Sequence, residues 1–198
     1  MRLQNVKVLL DVFKLSLNLE TKKPVIFVGK EDIKLEEIST IYNIKSFFNK
    51  DFAISNLFFN TEANKIKKII KLIRANKDSP QLFILEKIIK DGDVKILAKL
   101  KFDDSGKLIQ DDYEIILTVN DLHLKLLDKT EITNLSFNAN YTNNNFRIYK
   151  LRSDYLGLKF SSDSINIEKQ NENFLVKGNL KILESSIPKD ILSIVIKD

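Results

Sequence analysis

A chain of 198 residues with 43% apolar and 30% charged residues is long enough and greasy enough to bury a core, which excludes disordered and fibrous classes and leaves room for one domain or two small ones. The absence of cysteine excludes disulfide frameworks, thiol nucleophiles, iron–sulfur clusters and cysteine zinc sites. Lys and Arg exceed Asp and Glu by 32 to 27, and the stretch from Glu62 to Lys77, with six cations and one acid, holds an excess equal to the whole net charge of +5; with only four arginines in the chain, nucleic acid is disfavoured as a partner.

The N-terminal stretch from Met1 to Lys23 has early charge but no uninterrupted apolar run and no small-residue cleavage site, so it reads as mature structure. No part of the chain reaches the roughly 18 to 20 consecutive apolar residues of a membrane-spanning helix. Phe13, Leu15, Leu17 and Leu19 alternate with polar residues as in a strand with one wet face. Further strands are expected near Pro24–Val28, Ile33–Ser39 and Phe52–Asn60, with an ambiguous stretch at Ile41–Phe48. In Glu62–Asn76 the period changes: Ala63, Ile66, Ile69, Ile70 and Ile73 predict an amphipathic helix with lysines on its other face. A second helix is expected to open at Ser79-Pro80, where Ser caps and Pro fits the first position, to run through Leu82, Phe83, Leu85, Ile88 and Ile89, and to stop near Gly92.

Beyond Gly92 the alternation returns, with Val94, Ile96, Ala98, Leu100 and Phe102 on one side. It continues in Tyr113–Val119, Leu122–Leu126, Leu135–Tyr141, Leu156–Phe160, Ile165–Ile167 and Phe174–Leu180. Turn signals separate these segments at Asp103–Gly106, Asn143–Asn145, Ser161–Asp163 and Gln170–Asn173. Such short connections favour antiparallel pairing. The expectation is an α+β, mostly β fold: an extended, curved antiparallel sheet, meander or trough, of about ten strands, with a helical hairpin near residues 62–91, in a single β-rich domain over 1–198.

Catalytic chemistry has little to stand on. His123 lies between Leu122 and Leu124, turned to the wet side of its strand beside Lys125. The five glycines form no phosphate loop. Asp103–Gly106 followed by Asp111-Asp112 lacks the spacing of a calcium loop and reads as a hairpin turn. Ser186-Ile187-Pro188-Lys189 matches a Ser-x-x-Lys pattern without its companion elements. No enzyme, metal site or cofactor is expected.

Two features have a functional and a bland reading. Lys65, Lys67, Lys68, Lys71 and Arg74 could meet an anionic lipid surface or an acidic partner, or form the solvated face of a helix, which is the favoured reading. The apolar strand face must be covered by sheet or helix, as in a closed sandwich or barrel, or left as a groove for an apolar ligand. Pattern alone favours closure. Two helices of about 13 residues, however, cover only part of so broad a face, and this mismatch points to lipid.

The run from Phe52-Ala53-Ile54-Ser55-Asn56-Leu57-Phe58-Phe59-Asn60, through the Lys/Ile helix and Ser79-Pro80-Gln81-Leu82-Phe83-Ile84-Leu85, to Ile89–Gly92 and Leu100–Lys107 resembles the AsmA-like family. Leu135–Asn140, Phe146-Arg147-Ile148, Ser161–Ile167 and Val176–Leu180 are similar to that family's repeating strands. The resemblance implies a bridge-like lipid transfer protein, whose trough carries phospholipid acyl chains between the inner and outer membranes. It also implies a periplasmic location with inner-membrane attachment through an anchor outside this shorter chain, which would then be a fragment. Its groove would be lined here by Ile96, Ala98, Leu100, Ile115, Leu117, Leu135, Phe137, Leu158, Phe160, Phe174 and Val176. The alternative expectation is a closed β-rich scaffold or interaction module without ligand.

Overall fold

The computed structural model describes residues 2–183 except 4, 29–30, 50–53, 110–111, 127–129, 143–144 and 171–172. The elements run in the order β1 (Val6–Asp11), β2 (Ser16–Lys22), β3 (Val25–Val28), β4 (Glu31–Asn43), α1 (Ile44–Asn49), β5 (Ile54–Thr61), β6 (Asn64–Lys65), α2 (Ile66–Asn76), α3 (Pro80–Ile88) and β7 (Ile89–Lys101). There follow β8 (Glu114–Lys125), β9 (Glu131–Thr142), β10 (Asn145–Tyr155), β11 (Leu158–Gln170), β12 (Asn173–Gly178) and β13 (Lys181–Ile182). The strands form one sheet in the order β1-β2-β4-β5-β7-β8-β9-β10-β11-β12, with β3 on β4, β6 on β7 and β13 on β11. Alternation and short connections therefore give the expected antiparallel, mostly β architecture with a helical hairpin. The sheet is open, since its order starts at β1 and ends at β12; this agrees with the expected extended sheet and rules out the barrel among the closed forms, sandwich or barrel, that pattern alone favoured.

Contacts gather the chain into two compact units, Met1–Asn64 with Lys95–Leu117 and Asn140–Asn144, and Lys65–Val94 with Thr118–Ala139 and Asn145–Asp198. In the first unit, the strand expected from Phe13 begins only at Ser16, and β1 precedes it. Asp11 causes the difference: its Oδ1 accepts from the N–H groups of Phe13 (3.1 Å) and Lys14 (3.0 Å), winding residues 12–15 into a turn that leaves Phe13 fully exposed. Leu9 breaks the alternation of β1, which hid it in the sequence. The ambiguous stretch at Ile41–Phe48 divides at Asn43, whose Oδ1 accepts from the N–H of Lys45 (3.0 Å) and caps α1.

The corner after β5 is built from buried, satisfied polar groups. The N–H of Ile96 donates to Thr61 Oγ1 (2.8 Å), and Asn64 Nδ2 donates to the carbonyls of Lys34 (3.1 Å) and Glu62 (2.7 Å). These bonds stand in for a ladder where the chain leaves the sheet.

In the second unit, the first helix begins at Ile66, four residues later than its period suggested, because Asn64 and Lys65 pair with β7 as β6. Ile66, Ile70 and Leu72 are buried, while Ile73 is 46% exposed, so the covered stripe is rotated from the expected one. The N–H of Leu82 donates to Ser79 Oγ (3.3 Å) with Pro80 at the first turn, as the sequence predicts. That helix ends at Ile88, before Gly92, which lies inside β7 with φ 138°. A strand conformation of that sign suits glycine.

Several segments that looked separate are single long strands. Tyr113–Val119 and Leu122–Leu126 merge in β8, and the turn expected at Ser161–Asp163 lies within β11. In β11, Ser161 and Ser162 pair with Arg152 and Leu151 of β10. In β8 the reason is visible in the backbone: Asp121 has φ of 50°, as Asn134 in β9 and Lys150 in β10 have 51° and 56°. A left-handed residue inserts an extra step into the alternation without ending the strand. Val119 and Leu122, three apart across Asp121, are accordingly both buried. The Asn143-Asn144, Asn171-Glu172 and Ser186–Lys189 segments lie outside the described residues.

A Cβ at residue 92 would stand 2.8 Å from Leu122 Cα on a backbone already at positive φ. The Gly92→Ala variant is therefore expected to lose about 1 to 3 kcal/mol of stability, measured by chemical denaturation.

Candidate functional site

Register assigns the paired side chains of β1, β2, β4, β5 and β7 to one of two faces, since directly opposed residues project to the same side. Val8 pairs with Leu19, Leu19 with Thr40, Thr40 with Leu57 and Leu57 with Leu100, a rung of five strands broken only by Thr40. The next rung is Val6, Thr21, Ile38, Phe59 and Ala98. The reverse side carries Lys7, Glu20, Ser39, Phe58 and Lys99, and then Leu9, Asn18, Ile41, Asn56 and Lys101.

The apolar face is not sealed. Ala98 is 1% exposed, but Leu19, Ile38, Leu57, Phe59 and Leu100 are only half-buried, and Val8 is 56% exposed. Side chains of a closed core would be buried throughout.

The sequence-predicted lining residues divide between the units. Ala98 and Leu100 sit on the apolar rungs, and Ile96 joins them by alternation in β7. An ion pair fixes β8: Lys99 Nζ donates to Glu114 Oε2 (2.8 Å) on the wet side, which turns Ile115 and Leu117 to the apolar side. In the second unit, Phe160 opposes Ser153 in β10 and Ile182 in β13, and its ring meets Tyr155 at 6.4 Å. Leu158 opposes Tyr155. Val176 opposes Ile167, and Phe174, which opposes Lys169, shares its side; both are more than half exposed. Leu135 and Phe137 lie half-buried in β9. The rungs through β1, β2, β4 and β5 were missed as lining, although the alternation of Leu17 and Leu19 and of Leu57 and Phe59 could have marked them.

Two depressions are lined by charged and apolar side chains together. One of about 500 Å³ in the first unit includes Asn56, Lys99, Lys101 and Glu114. The other, about 940 Å³ in the second unit, includes Asn134, Asn138, Arg152, Asp154 and Lys159, with Phe137 and Phe160 also at its wall. The first also has Ile41, Leu57, Phe58, Leu100 and Tyr113 in its lining, so apolar surface predominates there, whereas polar side chains make up most of the second.

The basic stretch is only partly helix surface. Lys65 precedes α2 and pairs with Asp91 (3.0 Å) and Asp93 (3.2 Å) of β7. Arg74 pairs with Asp78 (2.8 Å) and with Glu86 of α3, and lies 5.2 Å from the Phe83 ring. Lys67, Lys68 and Lys71 stand on α2 between these two clusters, Lys71 exposed and the others half-buried. Hydrogen bonds from Arg74 hold the Asp78 carboxyl below its ordinary range, and the Gly92 N–H followed by Lys65 does the same for Asp91. Arg74, bonded to both carboxylates, is raised and stays charged at every accessible pH.

Outside these surfaces, Asp103 serves a turn. Its Oδ1 accepts from the N–H groups of Ser105 and Lys107 (2.9 Å each) and from the Ser105 hydroxyl (2.7 Å), the hairpin role read from the sequence. His123 Nε2 lies 3.2 Å from Glu131 at the surface. Among the described residues no three His, Cys, Asp or Glu side chains gather as metal ligands.

Carboxylates with depressed folded-state pKa values stabilise above their unfolded range and lose that contribution as pH falls through the folded values. Thermal melts of the Arg74→Gln variant should thus show a lower midpoint than the parent at pH 7, with the gap narrowing toward about pH 3, where carboxylates lose their charge.

No family model, no curated protein and no solved structure matches this chain.

Proposed function

We propose that this chain is a lipid-binding part of a lipid-transfer protein, similar to the AsmA-like family, in which an apolar β-face carries phospholipid acyl chains between inner and outer membranes. The observation that carries the reading is the incompletely buried apolar face of an open sheet. At about 25 cal/mol per Å², each half-covered Leu or Phe forgoes on the order of 1 kcal/mol that a hydrocarbon chain laid over it would supply. Rungs of Leu, Ile, Val and Phe offer no donor or acceptor of their own beyond Thr21, Thr40, Tyr42 and Thr61, so the face discriminates poorly among chain types while polar headgroups remain in water.

The wet side suits the same role. Lys95 with Glu36 (2.8 Å), Lys99 with Glu114 (2.8 Å) and Lys101 with Asp112 lace neighbouring segments together across the charged surface. These exposed pairs contribute little stability individually, but they gather charge on one face, where only Leu9, Ile41 and Phe58 interrupt the polar residues of the two rungs, and leave the other without it. The periplasm and an inner-membrane attachment follow from the family resemblance as parts of the same proposal.

Purified chain should release phospholipid in native mass spectrometry and take up a fluorescent phospholipid from vesicles. Leu57→Asp and Leu117→Asp should reduce uptake roughly tenfold or more while circular dichroism still shows a folded sheet, and Asn56→Asp on the wet side should leave uptake unchanged. Absence of lipid from the purified chain together with no uptake, or equal uptake by all variants, would sink the reading.

A further inference from the structure

β1 is the first strand in the sheet order, hydrogen-bonded to β2 on one side, and no described strand lies beyond it. Its outer row of backbone N–H and C=O groups is therefore a template for another strand. Natural edges are usually blunted by proline, a bulge or several charges. β1 has a continuous register with β2 and a single lysine, and it presents apolar side chains on both faces, with Val8 56%, Leu10 58% and Leu9 49% exposed.

We infer that two copies of this chain pair antiparallel through β1, centred on Leu9. In that register Lys7 opposes Asp11 of the second copy and Asp11 opposes its Lys7, so two opposite-charge pairs form on the wet side. Val8 and Leu10 oppose each other twice on the apolar side. No neighbouring register does this. Centring on Val8 sets Lys7 against Leu9 and Asp11 against Asn5, centring on Leu10 sets Asp11 against Leu9 and Lys7 against Phe13, and a one-residue slip turns the apolar side of one copy against the wet side of the other.

The turn that follows β1 prepares Asp11 for this contact. Its carboxylate is held by the N–H groups of Phe13 and Lys14, so little freedom remains to be lost on pairing. Because the same strand pairs with itself, the contact is isologous and closes at two copies. Its two-fold axis is normal to the sheet at the junction, which keeps Val8 and Leu10 of each copy on one side. The inference stands independently of the lipid reading, since it uses only the strand's edge, exposure and charges.

Sedimentation equilibrium of the full chain should show a reversible dimer, with Lys7→Glu and Asp11→Lys each weakening it roughly tenfold or more by placing like charges opposite each other. Mixing those two variants should restore dimer as a heterodimer, because Glu then meets Lys and Asp meets Lys at the two contacts. Recovery on mixing also shows that each variant is folded. As the chain has no cysteine, Leu9→Cys should give an oxidised dimer, since opposed Cα atoms stand about 4.5 to 5.5 Å apart, within disulfide reach. The Val6→Cys variant should not, because its two copies would sit roughly 20 Å apart. A monomer up to about 100 μM, a dimer indifferent to the charge variants, failure of the mixture to associate, or equal crosslinking by both cysteine variants would each overturn the inference; a monomer would leave β1 to an unlike strand.

Discussion

An antiparallel sheet satisfies its backbone laterally, strand by strand, but it cannot hide an apolar face without a second layer. That constraint governs this protein. The lateral requirement is met between each neighbouring pair from β1 to β12 and left open at the outer edge of β1. The vertical one is met only in part in the first unit, where rungs of Leu, Ile and Phe are half-buried and Val6 and Val8 exposed. The second unit carries α2 and α3, yet α3 buries none of its residues and leaves Phe83, Ile84 and Leu85 in solvent. Hydrophobic burial is the main favourable term in folding, so a face left this open is costly unless a ligand or a partner surface completes it.

Charge has a different task from the one its distribution suggests. Counted along the sequence, the cationic run around α2 reads as a solvated helix face first and a contact surface second. In space, Lys65 is drawn to Asp91 and Asp93, and Arg74 to Asp78 and Glu86, so the carboxylates of the following helix and strand absorb both ends of the run. On the sheet, lysines from β7 meet carboxylates of β4, β8 and the segment before β8. Ion pairs at this level of exposure set sidedness and register more than they add stability.

Left-handed residues let long strands keep one greasy side. Asp121, Asn134 and Lys150 each interrupt strict alternation, as Gly92 does in β7. An insertion of one step would otherwise send every following side chain to the wrong face. The apolar pattern steps by three across Asp121, from Val119 to Leu122, and by three across Lys150, from Ile148 to Leu151.

The sequence by itself determined what depends on near neighbours: the period-two stretches that became β7, β8 and β9, the Asp103–Gly106 turn, and the Ser79-Pro80 helix start, because propensity, capping and side-chain alternation act over a few residues. Only the tertiary structure decided that α2 starts at Ile66 rather than Glu62, that Ser161–Asp163 is strand rather than turn, and that the sheet stays open. Those outcomes turn on distant partners, such as β7 claiming Asn64 and Lys65 or β11 crossing opposite β10. Whether an apolar side chain is covered is likewise a property of what lies above it in space, and alternation records only which way it points.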